Sequence, residues 1–272
     1  MKIELFRHLW GVTEPWEQSL ATARQQGYVG IECPMPDRAD ESRFLALLKQ
    51  HGLSYIAMAF TSGADVREHV RLLQADVARA RELGAIKLTV HGGSDAWSVS
   101  QAREFYADAV EIERQVGLTL VHETHRGRVF YNPWTTRDLL REFPSLKLCC
   151  DFSHWVNVAE RLNWDDEPRS ILSLCAAQCG HLHARVGYAE GPQVPDPSAP
   201  EYANELAAHE SWWDAIVEAQ RSAGATVLTI TPEFGPPGYL HTLPHTNVPV
   251  ADLSQVVAWM TQRLRRRYDP AR

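Results

Sequence analysis

Glu123, Asp151, His183 and Glu233 each close an apolar, β-like run, in the segments TLVHE, LKLCCD, CGHLH and VLTITPE. Each of these side chains can donate a lone pair to a divalent cation. One carboxylate at a strand end is commonplace. Four such groups in succession, with spacers of 28, 32 and 50 residues, point to one site assembled from four neighbouring strands. Three carboxylates and an imidazole make a mixed oxygen and nitrogen set. Hard oxygens with one nitrogen suit Mn2+, Mg2+ or Co2+, and Zn2+ also fits; the lack of thiolate donors argues against a structural zinc. The run CGHLH offers two imidazoles, His181 and His183.

The elements that must position these groups alternate along the chain. Strand-like runs occupy 3–9, 28–33, 54–60, 86–91, 118–123, 146–151, 179–184 and 226–232. Helical patterns lie between and after them, near 14–26, 40–51, 65–83, 99–116, 135–142, 167–177, 209–223 and 252–267. In the third helix Asp65 and Glu68 form an N-terminal capping pair, Val66, Val70, Leu73, Val77 and Ala80 make an apolar stripe, and Gly84 is the stop. Ser98 and Gln101 cap the fourth in the same way. Eight β/α units in 272 residues predict a (β/α)8 TIM barrel, one domain over 1–272. An open doubly wound sheet would carry a glycine-rich turn after its first strand, and RHLWGVTEP is not one. In a barrel all strand C-termini share one face, so the four groups converge.

Composition narrows the partners. The formal charge is −7, from 34 acids and 27 bases, against a nucleic-acid partner. The basic run RLRRR (263–267) ends the last helix, where cations complement the dipole and are expected in solvent. The five cysteines, Cys33, Cys149, Cys150, Cys175 and Cys179, read as buried free thiols of a reducing compartment. The first residues, MKIELFRHLWG, contain no signal core, and no stretch approaches the ~20 apolar residues of a membrane span. A cytoplasmic protein with no membrane partner is expected, as a homo-oligomer.

The ordered segments HETHRGR, CCDFSHW, GHLHARVG and TPEFGPPGY resemble the xylose-isomerase-like TIM barrels of the sugar (phosphate) isomerase/epimerase family, strand by strand over nearly the whole chain. In the ketose 3-epimerase branch the Glu, Asp, His and Glu ending strands 5 to 8 hold one divalent metal. That resemblance implies Glu123, Asp151, His183 and Glu233 as ligands, with His183 preferred over His181 as the second histidine of its motif. It also implies His154, three residues after Asp151, as a substrate contact. A metal so bound can chelate two oxygens of a hydroxyketone and polarise the carbonyl. Removal of the adjacent proton gives an enediolate. Carboxylates on opposite faces of that carbon then epimerise it, and return of the proton to the neighbouring carbon isomerises aldose and ketose. In the family reading Glu123 and Glu233 are this acid/base pair as well as ligands, and the substrate is a sugar or polyol.

The chain departs from the epimerases where they place an Arg six residues after the strand-7 His, since that position is Ala189. Arg185, Arg126 and Arg128 are the cations that can bind substrate hydroxyls, a carboxylate or a phosphate. His91, in VHGGSD, is a candidate substrate contact; Glu32, in GIECP, is a candidate acceptor behind a metal-bound histidine. Trp10 and Phe60 can form an apolar wall. Strand alternation should turn His122 away from the barrel interior, and His181 is expected to point outward likewise. Long connections at 185–208 and 234–250 are expected over the catalytic face as a covering or a subunit contact. The function expected is therefore a metal-dependent sugar isomerase or epimerase. A lyase, dehydratase or deglycosidase of a keto-sugar or inositol on the same site is the alternative. A DNA-repair endonuclease on this barrel would need further zinc ligands; strand 3 ends on Phe60 and the strand-7 loop reads PDPSAP, so they are missing.

Overall fold

The computed structural model describes residues 1–165 and 170–268. Parallel strands β1 (Lys2–His8), β2 (Gly30–Pro34), β3 (Ser54–Phe60), β4 (Lys87–His91), β5 (Leu120–Glu123), β6 (Lys147–Cys150), β7 (Cys179–His183) and β8 (Val227–Thr231) follow one another around a closed barrel. Lys2 pairs with Val227 to close it. The helices are α1 (Trp16–Gln25), α2 (Glu41–His51), α3 (Val66–Glu82), α4 (Val99–Val116), α5 (Pro133–Glu142), α6 (Ser153–Ala159), α7 (Ser170–Gln178), α8 (Ala203–Ser222) and α9 (Leu253–Tyr268). The barrel and its single domain are as expected from the alternation.

Local chemistry sets the boundaries. Asp65 accepts from the Glu68 amide at the start of α3, and Ser98 with Gln101 forms a complete capping box on α4. Gly117 ends α4 with φ +70, a conformation that costs a side chain little only when it is absent. Gly30 lies so close to β1 and β3 that a Cβ there would meet Phe6 and the Ser54 carbonyl oxygen at 2.3 Å. The apolar core fills the shell between barrel and helices, with Phe44, Phe105, Leu148 and Ile230 fully buried.

Three details differ from the sequence reading. Helix α6 was not expected, because seven residues containing two valines and a tryptophan give no sustained helical period. Helix α8 begins at Ala203, not 209, while the first three residues of the 167–177 helix lie outside the described residues. The basic run also has partners: Arg263 grips Glu210 at 2.7 and 2.9 Å, and Arg267 bonds Asp214 at 2.8 Å. Those acids lie on α8, so the cations tie two helices together. All five cysteines are buried and free. No helix among the described residues is long and apolar enough to cross a membrane.

Candidate functional site

Glu123 ends β5, Asp151 follows β6, His183 ends β7 and Glu233 stands two residues after β8. Parallel strands all deliver their C-terminal ends to one rim, so these four side chains meet: one donor atom from each lies within 4.8 Å of the others, and all four residues are buried. His183 Nδ1 is 3.0 Å from Glu233 Oε2 and 3.6 Å from Glu123 Oε1.

Behind this cluster the barrel interior is polar. The Glu32 carboxylate lies 3.0 and 3.1 Å from His183 Nε2 and 3.1 Å from His181 Nε2, and accepts from Thr89 and Thr231 at 2.6 Å each. His181 Nδ1 meets Thr229, which also accepts from Lys87. His181 therefore points into the barrel, contrary to expectation. A period of two puts residues 181 and 183 on one face, and the reading that turned His181 outward misapplied its own rule. His122, on the other parity, packs against Tyr106 and Phe130 in the helix layer.

Asp151 is engaged from two sides. Its Oδ1 accepts from the Ser153 amide and hydroxyl at 3.1 and 2.5 Å, and its Oδ2 pairs with Arg185. The Arg185 guanidinium also reaches Ser153 Oγ at 3.1 Å and His154 Nε2 at 2.7 Å, and lies 3.5 Å from Glu233 Oε2. Arg185 is thus buried within the cluster as a fixed positive charge. His154 stacks on His125 at 4.0 Å between ring centres and stands behind Arg185.

A cavity of about 590 Å3 opens over the cluster. Glu123, Glu233, His91 and Arg185 line it; Asp151, His183 and His154 do not. Its other wall is apolar, built from Leu9, Trp10, Pro34, Met58 and Phe60. His91 Nε2 is 2.7 Å from Glu123 Oε2, with Phe60 stacked on its ring. His8 was missed: its Nδ1 accepts from the Trp10 amide at 2.8 Å, leaving Nε2 3.3 Å from Glu233 Oε1. The available signal was its position as the last residue of β1, equivalent to that of Glu123 in β5. Tyr239, from the 234–250 connection, lies over the cluster with its ring centre 5.0 Å from the Arg185 guanidinium and 4.9 Å from that of Arg126. Gln193 exchanges two hydrogen bonds with Gly235, at 2.6 and 3.1 Å, which joins the two long connections.

The charges are strongly coupled. Burial disfavours ionised Glu123, yet His91 and His183 beside it hold its carboxyl well below the usual range. Burial is likewise overcome at Glu233, where His183 and Arg185 bring the carboxyl down to about 2. Asp151 goes the other way, pushed by burial up to about 6 against the pull of Arg185. Burial also opposes a charged His183, but the surrounding Cys149, Glu32, Glu233 and Glu123 raise it well above an ordinary imidazole.

The donor set fits a divalent cation. The Glu123 oxygens and Glu233 Oε2 converge on His183 Nδ1, and apart from the imidazoles of His91 and His183 and Arg185 at 3.5 Å they have no nearby cation among the described residues. Two carboxylates buried this close together are costly, and a divalent cation between them would lower that cost. Asp151 is the weakest donor of the four, because Arg185 and Ser153 already occupy its oxygens.

The family model of the xylose isomerase-like TIM barrels matches residues 20–192. Among curated proteins, none matches the chain. Solved structures share the fold at low identity. The 3-keto-D-glucoside 4-epimerase YcjR from E. coli is 13% identical with a TM-score of 0.66, over 97% of this chain and 100% of that one. The probable 3-DHS dehydratase AsbF from Bacillus anthracis is 16% identical with a TM-score of 0.63, over 97% and 98%. A xylose isomerase-like TIM barrel protein from Mycobacterium smegmatis, in complex with magnesium, is 13% identical with a TM-score of 0.59, over 86% and 91%.

Proposed function

The chain belongs to the xylose isomerase-like TIM barrel family, and from that premise we propose that it is a divalent-metal-dependent isomerase or epimerase of a small sugar or polyol. The observation that carries this reading is the meeting of Glu123, Asp151, His183 and Glu233 within 4.8 Å, two of them on the wall of a sugar-sized cavity. Glu123, His183 and Glu233 would hold the metal, with Asp151 as a fourth, shared donor. When bound, that ion supplies Lewis-acid polarisation of a substrate carbonyl.

The residues of the chain do the rest. Glu123 and Glu233 are ionised at neutral pH, so either can accept the proton next to the carbonyl. Each has an imidazole beside it, His91 for Glu123 and His8 for Glu233, that holds the carboxylate in place. Arg185 lies 3.5 Å from Glu233 Oε2 and its fixed positive charge favours the ionised form of that carboxylate, the form that accepts a proton. Tyr239 and Trp10, in edge contact at 4.8 Å, form an apolar wall beside the carboxylates. Proton return to the same carbon from the opposite carboxylate gives epimerisation; return to the neighbouring carbon gives isomerisation.

A lyase or dehydratase shares the first proton transfer and differs in expelling a hydroxyl afterwards. The pair formed by the Tyr239 hydroxyl and His125 Nε2, 3.4 Å apart on the cavity wall, favours this second reading because it can protonate a leaving oxygen.

The test is solvent deuterium exchange at the substrate C–H in the metal-loaded enzyme. Glu233→Gln should abolish it, and exchange at the wild-type rate in that variant would sink the base assignment. The product then separates the readings, since a dehydratase releases water and an isomerase conserves mass.

A further inference from the structure

We propose that Arg128 is the residue that selects the substrate, and that the substrate carries, besides its reacting carbons, an oxyanion, a carboxylate or a phosphate, that faces Arg128 in the cavity wall. The inference deepens the isomerase or epimerase reading and rests on it for the location of those carbons.

Of the three arginines near the site, Arg185 is fully committed and Arg126 does not line the cavity. Arg185 is spent on Asp151, Ser153 and His154. Arg126 packs its guanidinium on the Tyr239 ring and donates to Asn157. Arg128 is held differently. Its Nη1 donates to two backbone carbonyls, Thr61 O at 2.8 Å and Gly93 O at 3.2 Å. These carbonyls belong to a stiff corner, where the Gly93 amide donates to Thr61 Oγ1 at 3.0 Å and the Thr61 amide to His91 O at 3.2 Å. Both Nη1 hydrogens are thereby used.

A guanidinium has five N–H donors, so Nε and Nη2 retain three. Among the described residues no acceptor bonds to them and no carboxylate pairs with Arg128. The side chain is half-buried and lines the same cavity as Glu123 and Glu233. The free edge is the one that binds an oxyanion through two parallel hydrogen bonds. Elsewhere in this protein the same edge does so: Arg43 takes Glu17 at 2.8 and 2.8 Å, and Arg263 takes Glu210 at 2.7 and 2.9 Å. What sets Arg128 apart from other arginines without an acid partner is its place in the wall of the cavity that Glu123 and Glu233 also line.

The neighbouring wall fits the same picture. Phe60 and Met58 offer no polar atom, so the middle of the ligand is held by contact and its charged end by Arg128. A neutral sugar leaves the Arg128 fork facing water; an acid or phosphate ester of the same skeleton fills it.

The experiment is calorimetric titration of the metal-loaded protein with three ligands of one skeleton: xylitol, xylonate and xylitol 5-phosphate. The expected result is that one anion binds at least ~30-fold more tightly than xylitol, in the range of a charge-assisted bidentate contact. Arg128→Gln should bring that anion to within ~3-fold of xylitol measured in the same variant. Arg128→Lys, which keeps the charge and loses the fork, should retain less than a tenth of the preference for a carboxylate and more of it for a phosphate. The tighter anion identifies the group. Equal binding of all three ligands, no binding of any, or an anion preference that survives in Arg128→Gln would overturn the proposal. Binding needs no turnover, so a protein that prefers the anion yet exchanges no deuterium would refute the isomerase reading and leave this one standing.

Discussion

Glu32 and His183 form the hinge of the site: the carboxylate lies 3.0 and 3.1 Å from His183 Nε2, which turns Nδ1 of the same ring toward Glu123 and Glu233. Nε2–H donating to Glu32 directs Nδ1 at the cluster, where a bound cation would displace the Nδ1 proton that the surrounding carboxylates favour. Glu32→Gln keeps the shape and removes the charge. It should lower affinity for Mn2+ or Mg2+ about 10- to 100-fold by calorimetry, as loss of such outer support does elsewhere. An unchanged affinity would detach Glu32 from metal binding.

Metal removal should loosen the protein, because the carboxylates of Glu123 and Glu233 are then left buried together with only imidazoles and Arg185 to offset them. Ion at about 100 times its dissociation constant should stabilise the fold by about 2.7 kcal/mol. Thermal melts with and without chelator measure the difference. In Glu123→Gln the difference should shrink, and a full-sized gain in that variant would place the ion elsewhere.

Arg185 predicts a large stability effect. Arg185→Met leaves Asp151 buried without its counter-charge, which should cost about 3–5 kcal/mol in urea unfolding. Adding Asp151→Asn should recover part of that loss, since the uncompensated charge goes with it. A loss under about 1 kcal/mol for the single variant would contradict the pairing.

His122 predicts a pH dependence away from the site. Burial holds its imidazole down to about 3, and neither ring nitrogen has a partner among the described residues. The unfolded chain takes up this proton below about pH 6.5 and the folded chain does not. Stability is therefore lost as pH falls from about 6.5 toward 3, with a slope near 1.4 kcal/mol per pH unit from this one group. His122→Leu should flatten the curve by that amount between pH 4 and 6 and leave it unchanged above pH 7. Parallel curves for the two proteins would rule the assignment out.

Much of this molecule could be read along the chain. The barrel was legible because each β/α unit carries its own caps and stops, such as Asp65 with Glu68 or Gly117, and eight local signals in series leave one parallel closure. Glu123, Asp151, His183 and Glu233 were legible because strand ends are marked by the loss of apolar residues. Helix α6 was not, since it is held by burial of Trp155 and Val156 and not by its own period.

The sequence by itself determined the order of the strands, the donor groups at their ends and the net charge of −7. The tertiary structure alone decided how those groups divide their work. It set Arg185 against Asp151, placed His8 beside Glu233, turned both His181 and His183 onto Glu32, and left the Arg128 fork open. The reason is physical. Strand position follows from local period and propensity, whereas partners 199 residues apart, such as Glu32 and Thr231, are chosen by closure of the barrel.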